Sequence, residues 1–201
     1  MTRFVMLASV AALTLAATAC KESTTTVSQN EPQAAEMNTP DDPPVANLGA
    51  GAGAPAGAVT TAAQFAALAA GSDQFEIASG KLAQAKGGSS SVKNFGEQLV
   101  EEHTKSSTEL KAALAGVRPP VPLPTAPPIE LQTKLQSLGT LSGDAFDRQF
   151  VADQIASHQQ TLAAINAYIA TGDNPALRDW ARKATGVVQK HLQQLNRMSQ
   201  Q

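Results

Sequence analysis

Three histidines are the side chains of this chain best suited to hold a metal ion or move a proton. His103 stands between Leu99 and Leu110, His158 between Ile155 and Leu162, and His191 between Val188 and Leu195. Each occupies a place in an apolar run where a leucine would be ordinary. Neutral imidazoles that converge from separate helices can bind zinc or copper. The same pattern also fits a buried polar layer, with each ring bonded to a hydroxyl or carbonyl, that sets helix register. Glu76 adjoins the apolar stripe of an earlier helical segment and is the candidate acid for the metal or for a histidine. The metal-ligand candidates are therefore His103, His158, His191 and Glu76.

Other chemistry finds little support. Di-iron helix bundles use Glu-x-x-His, because residues three apart share a helix face. Val100, Ile155 and Val188 stand three residues before the histidines, so the motif is missing at all three. Glu101-Glu102 reads as a solvated face. No nucleophile elbow and no glycine-rich phosphate loop is present. No catalytic residue is assigned, and a non-enzymatic protein is expected. Cys20 is the single cysteine, which excludes an internal disulfide and a thiolate metal cluster. A net charge of -2, with one Trp, one Tyr and six Phe, excludes a broad nucleic-acid-binding surface. No organic cofactor is implied.

The first residues read as an address. Arg3 precedes an apolar run from Phe4 to Ala17, and Leu15-Ala16-Ala17-Thr18-Ala19-Cys20 follows. This run resembles the lipobox of bacterial lipoproteins, in which the cysteine is acylated and becomes the mature N-terminus. Ala17 replaces the usual leucine, and Ala17-Thr18-Ala19 also suits ordinary signal cleavage. The expectation is a signal peptide over 1–19, lipidation at Cys20, and attachment to a membrane through the lipid. Lys21 after the cysteine suits sorting to the outer membrane, so a periplasm-facing place in the cell envelope is expected. The protein partner is unspecified.

Residues 20–60 hold one lysine against five acidic residues and are rich in Pro, Gly, Ala, Ser and Thr. They are predicted to be a disordered tether with a span of about 35 Å. Residues 61–201 hold 13 Lys and Arg against 12 Asp and Glu, and form the folding domain. Thr61 to Gln64 is a capping box that opens a first helix, which Gly87-Gly88 ends. A second starts near Ser91 and stops at Gly116. Pro-rich residues 117–128 lead to a short helix from Ile129 to Leu138. A fourth runs from behind Ser142 to Thr171, with Gly172 expected in the left-handed cap position. Asn174-Pro175 opens the fifth. The inner stripe of the fourth is predicted as Val151, Ile155, His158, Leu162, Ile165 and Ile169.

Two helical hairpins joined by a long connection suggest a four-helix bundle. A ferritin-like crossover and a plain up-down bundle are both compatible with that spacing. If the crossover returns the chain to the same end, residue counting puts His103 and His158 level. His191 then lies about 7 Å further along the axis.

The landmarks Phe75-Glu76-Ile77, Gly80-Lys81-Leu82-Ala83, Val100-Glu101-Glu102-His103-Thr104-Lys105, Phe146-Asp147-Arg148, His158 and His191-Leu192 occur in that order. Together they resemble the bacterial domain-of-unknown-function family numbered 4142, in the ferritin-like superfamily, over about residues 62–196. The resemblance implies an exported, all-α, four-helix ferritin-like bundle, to which the residues themselves add the short extra helix in the long connection between the hairpins. It implies no reaction. An acidic residue commonly precedes the second histidine in that family, and Ser157 takes its place here. The function expected is that of a membrane-tethered lipoprotein with a binding or envelope-stress role, or of a periplasmic metal-binding protein using the histidine cluster.

Overall fold

The computed structural model describes residues 59–201. The expected signal peptide, Cys20 and the tether up to residue 58 lie outside the described residues. The described residues are all-α, with helices α1 (Ala62–Lys86), α2 (Ser90–Leu114), α3 (Ile129–Gly139), α4 (Gly143–Thr171) and α5 (Pro175–Met198). None of these helices is long and apolar enough to cross a membrane.

Local signals account for most of the helix ends. Thr61 Oγ1 accepts from the Gln64 backbone N–H at 3.3 Å, and Gln64 Oε1 accepts from the Thr61 N–H at 3.4 Å, which closes the capping box. Asn174 Oδ1 accepts from the Leu177 N–H at 3.1 Å, with Pro175 in the first turn of α5. The second helix starts one residue earlier than expected, at Ser90, capped by Ser89. The cap is local, since Ser89 Oγ accepts from the Val92 N–H at 3.2 Å, and the turn before it is also held from a distance. Asp147 of α4 accepts from the Gly88 and Ser89 N–H groups at 2.9 and 2.8 Å, so a carboxylate from another hairpin pins this turn.

Helix directions follow from which ends meet. Phe65 early in α1, Leu110 late in α2, Tyr168 late in α4 and Leu177 early in α5 share one apolar group. Ala83 late in α1, Phe95 early in α2, Phe146 early in α4 and Leu195 late in α5 share the other. Thus α1 and α5 run one way, and α2 and α4 the other. The principal pairings are α1 with α2, α4 with α5, α1 with α4 and α2 with α5, all antiparallel. The connection after α2 travels back along the bundle, with α3 packed on α1 and α4. It passes close to α1: Gln74 donates to the Pro124 carbonyl at 2.6 Å, and a Cβ at Gly71 would lie 2.7 Å from the Pro128 ring. Val59 is buried with Phe65, and the Thr60 carbonyl accepts from the Asp173 N–H at 3.1 Å, so the last residues assigned to the tether pack on the helices.

Two local expectations need correction. Gly172 is not left-handed: its φ is -61° and its ψ 143°. Glycine is required there by contact instead, since a Cβ would lie 2.6 Å from the Tyr168 ring and 2.5 Å from the Tyr168 carbonyl oxygen. The inner face of α4 is also rotated from the predicted stripe. Phe146, Phe150, Gln154, His158, Ile165 and Tyr168 are buried, while Ile155, Leu162 and Ile169 are only half-buried. A helix with neighbours on two sides has apolar residues on both flanks, and these pull a periodicity count off the true centre.

At one crossing α1 and α2 approach to backbone contact. A Cβ on Gly80 would lie 2.6 Å from the Gly96 carbonyl oxygen, and a Cβ on Gly96 the same 2.6 Å from that of Gly80.

Candidate metal centre

Between the two apolar groups the bundle interior turns polar. His103 of α2, His158 of α4 and His191 of α5 are 6%, 2% and 0% exposed. One ring nitrogen from each lies within 4.8 Å of one from each of the others. Ring centroids are 6.0 Å apart for His103–His158, 5.6 Å for His103–His191 and 5.1 Å for His158–His191. The predicted 7 Å offset of His191 is absent, since His158 Nε2 stands 3.0 Å from His191 Nδ1. Helical side chains lean toward the N-terminus of their own helix. Since α4 and α5 are antiparallel, the two imidazoles lean toward each other and close the gap that counting Cα positions leaves.

Each ring is held from outside by an oxygen. Asp73 Oδ1 lies 2.8 Å from His103 Nδ1, and Ser107 donates to Asp73 Oδ2 at 3.0 Å. The Gln154 carbonyl oxygen lies 3.0 Å from His158 Nδ1. Glu102 Oε2 lies 2.8 Å from His191 Nε2, while Glu102 Oε1 accepts from Lys190 at 3.1 Å and Gln98 at 3.0 Å. A carbonyl or ionised carboxylate can only accept, so the hydrogen of each neutral imidazole belongs on its outer nitrogen. His103 Nε2, His158 Nε2 and His191 Nδ1 are then bare lone pairs. His103 Nε2 is buried with no hydrogen-bond partner. From Gln154 through His158 and His191 to Glu102 there are three contacts of 3.0, 3.0 and 2.8 Å, and each needs one hydrogen. Two neutral imidazoles supply two. The missing hydrogen is the one between the rings.

The electrostatics favour uncharged rings at two positions. Burial, then the neighbouring histidines, push His158 down to about 3 and His191 down to about 4. Burial also works against charge on His103, but the Asp73 hydrogen bond and the Glu76 and Asp73 charges outweigh it and raise its pKa. Glu76 is fully buried and is pushed up to about 7, chiefly by desolvation. Glu102 is lowered: burial opposes this, but the Lys190 hydrogen bond and the His191 interaction prevail.

Glu76 is not in the compact set of ring nitrogens. Its Oε1 accepts from Ser157 at 3.0 Å and lies 3.6 Å from His158 Nδ1. Its Oε2 is buried without a partner. The position where the resembled family commonly has an acid is thus occupied by a serine that holds an acid from α1.

Two participants escape the sequence reading. Asp73 reads as an ordinary helical polar residue, yet Ala66, Ala69, Asp73, Glu76, Gly80 and Ala83 follow a strict three–four spacing and all are buried. Two carboxylates three apart inside such a run are the missed signal. Glu102 was read as part of a solvated pair. Glu101 is exposed, but Glu102 is half-buried and holds His191. No local pattern separates the two; only the position of α5 does.

Compared with known proteins, residues 48–198 match the family described as Domain of unknown function (DUF4142). No curated protein and no solved structure matches the chain.

Proposed function

Since the chain belongs to the family described as Domain of unknown function (DUF4142), whose description names no reaction, we propose a function from the site: the domain binds one zinc- or copper-class ion through His103, His158 and His191. The single observation behind this is the orientation of the rings. Three outer nitrogens are held by Asp73, the Gln154 carbonyl and Glu102, which leaves three buried lone pairs turned toward one another. Without an ion, two lone pairs face each other at 3.0 Å between His158 and His191, while His103, with its raised pKa, favours a proton; an ion of charge +2 satisfies all three. Oxygen acceptors behind ligand histidines also fix ring orientation and raise basicity at metal sites. Zn–N bonds of about 2.0–2.1 Å at tetrahedral angles put ligand nitrogens about 3.4 Å apart. The inner nitrogens lie within 4.8 Å of one another, with the His158–His191 pair at 3.0 Å. Glu76 acts beside His158 as a buried acid and not as a ligand.

The wider reading is a non-enzymatic, exported lipoprotein, anchored at Cys20 and facing the periplasm from the outer membrane, with a ferritin-like four-helix bundle and α3 in the connection. The lipobox-like run supports the anchor, and the antiparallel pairing with its end-to-end return supports the bundle type.

The test is metal analysis of protein purified without a histidine tag. Wild type is expected to retain about one equivalent of zinc or copper, and His158→Ala to lose it. Asp73→Asn should lower affinity by roughly 10–100-fold, the usual effect of removing an oxygen behind a ligand histidine. Tight binding unaffected by either change would place the metal elsewhere. No binding by wild type would leave the cluster a polar layer that sets helix register.

A further inference from the structure

The three histidines are not equally enclosed. His103 is 6% exposed, His158 2% and His191 0%. A cleft of about 660 Å³ between α2 and α5 leads to His103, and neither His158 nor His191 lines it. A smaller hollow, lined by Phe95, Gln98, Gln194 and Met198, touches none of the three. His103 Nε2 is itself buried with no partner, so the cleft stops at this ring and does not open into the cluster.

Carboxylates line the cleft at successive depths. Glu101 and Glu109 are exposed, Glu102 is half-buried and Asp73 is buried. Three of the four are already engaged. Glu109 pairs with Lys105 at 3.9 Å, Glu102 pairs with Lys190 at 3.1 Å, and Asp73 holds His103 at 2.8 Å. Glu101 and Lys183, both exposed on the lining, make no ion pair among the described residues. Phe65, Ile165 and Trp180 form an apolar wall with no oxygen to arrest a cation.

We propose that the metal ion enters and leaves the histidine cluster through this cleft, with His103 as its first ligand. This rests on the metal reading above. A water's share of liquid volume is about 30 Å³, so the cleft is wide enough for an ion that still carries its water shell. The carboxylates favour a cation on the way in. They do not retain it, because the two nearest the cluster are committed to His103, His191 and Lys190. At His103 the ion exchanges water for its first nitrogen, and His158 and His191 complete the set.

Stopped-flow mixing with cobalt(II) tests this route, with the visible spectrum reporting occupation of the site. Release is read by mixing loaded protein with excess chelator. Gly186 lines the cleft from α5, and a Cβ there would meet nothing within 4 Å, so a side chain can be added without disturbing the packing. Gly186→Leu should slow uptake and release alike, each by about tenfold, with the dissociation constant kept within a factor of about two. Charge variants at the mouth should act with opposite signs. At low salt Glu101→Gln should slow uptake and Lys183→Gln should speed it, each by about twofold, and both effects should vanish at about 1 M salt. Unchanged rates in Gly186→Leu overturn the inference. So does a weaker affinity without slower uptake, which is distortion of the site and not obstruction of a passage. Uptake indifferent to both charges, or shifted the same way by both, also overturns it. Wild type that takes up no cobalt is a separate result: it removes the metal reading, and this one with it.

Discussion

At its two ends the bundle is closed by rings and branched chains, and at its middle by hydrogen bonds. Near one end Phe65 stacks on Tyr168 at a centroid distance of 4.1 Å and meets the edge of Trp180 at 5.8 Å. Near the other, Phe150 packs on Phe146 at 5.6 Å and on Phe95 at 6.3 Å. Between them lie Asp73, Glu76, Ser79, Gln154, Ser157 and the three histidines, all buried. The ends are nearly complete as they stand, with Gln194 Oε1 unpartnered next to Leu195 in the chain. The middle is not, because it is one hydrogen short between His158 and His191 and has unpartnered atoms on Glu76, Gln154 and His103. Apolar packing is concentrated at the ends, and unpartnered buried polar atoms at the middle.

The sharpest way to separate the two regions is Phe65→Ala. Phe65 is fully buried, and such truncations cost about 3–5 kcal/mol. Chemical denaturation should show that loss, while metal affinity measured on the still-folded variant stays within a factor of about two. A matching collapse of metal affinity would mean that the ends and the middle are one unit.

The next effect is one of pH on the metal-free protein. His158 and His191 have folded pKa values of about 3 and about 4, below the reference of 6.5. Their contribution is intact above 6.5 and is lost as pH falls toward those values, by about 2 kcal/mol per ring at pH 5. Glu76 has the opposite sign. Its folded value of about 7 is above its reference of 4.5, so its contribution is full below 4.5 and is lost as pH rises through 7. His103 is raised and likewise favours the acid side. The midpoint of thermal unfolding should therefore pass through a maximum on the weakly acidic side of neutrality. Glu76→Gln should raise the midpoint at pH 8 and converge with wild type near pH 5. A flat profile from pH 5 to 8 would mean that water reaches the cluster.

The smallest effect belongs to the turn beside the Tyr168 end. Gly172→Ala should cost about 1–2 kcal/mol by overpacking against Tyr168, with no pH dependence of its own. If the variant is as stable as wild type in denaturant titration, Tyr168 moves aside at no cost and this end is looser than its packing suggests.

Much of this architecture is legible in the residues because it is local. Thr61 with Gln64, Ser89 with Val92, and Asn174 with Leu177 mark helix starts through contacts within a few residues. The histidines stand out because a titratable ring in an apolar run is conspicuous at any distance. What could not be read is what depends on another helix. Asp147 holds the turn before α2 from 58 residues away. Glu102 differs from Glu101 only through His191, 89 positions further on. The level of His191 depended on the lean of two side chains, which residue counting omits. Gly172 was assigned the right residue requirement for the wrong reason, because a dihedral preference and a steric one leave the same letter in the sequence.

The reciprocal contact of Gly80 and Gly96 has a consequence for how this chain can change. In most cores a larger residue on one side can be offset by a smaller one opposite. Here the obstruction on each side is a backbone oxygen, and both residues are already the smallest available, so no second-site change can relieve a Cβ at either. The two positions are fixed as a pair without ever exchanging volume. They act as a pivot whose closest contacts are with main-chain oxygens, with the Ala83 methyl next, and α1 and α2 extend from it like the arms of a clamp. Asp73 and His103, each seven residues from the pivot along its own helix, form a grip 2.8 Å wide on the inner side of those arms.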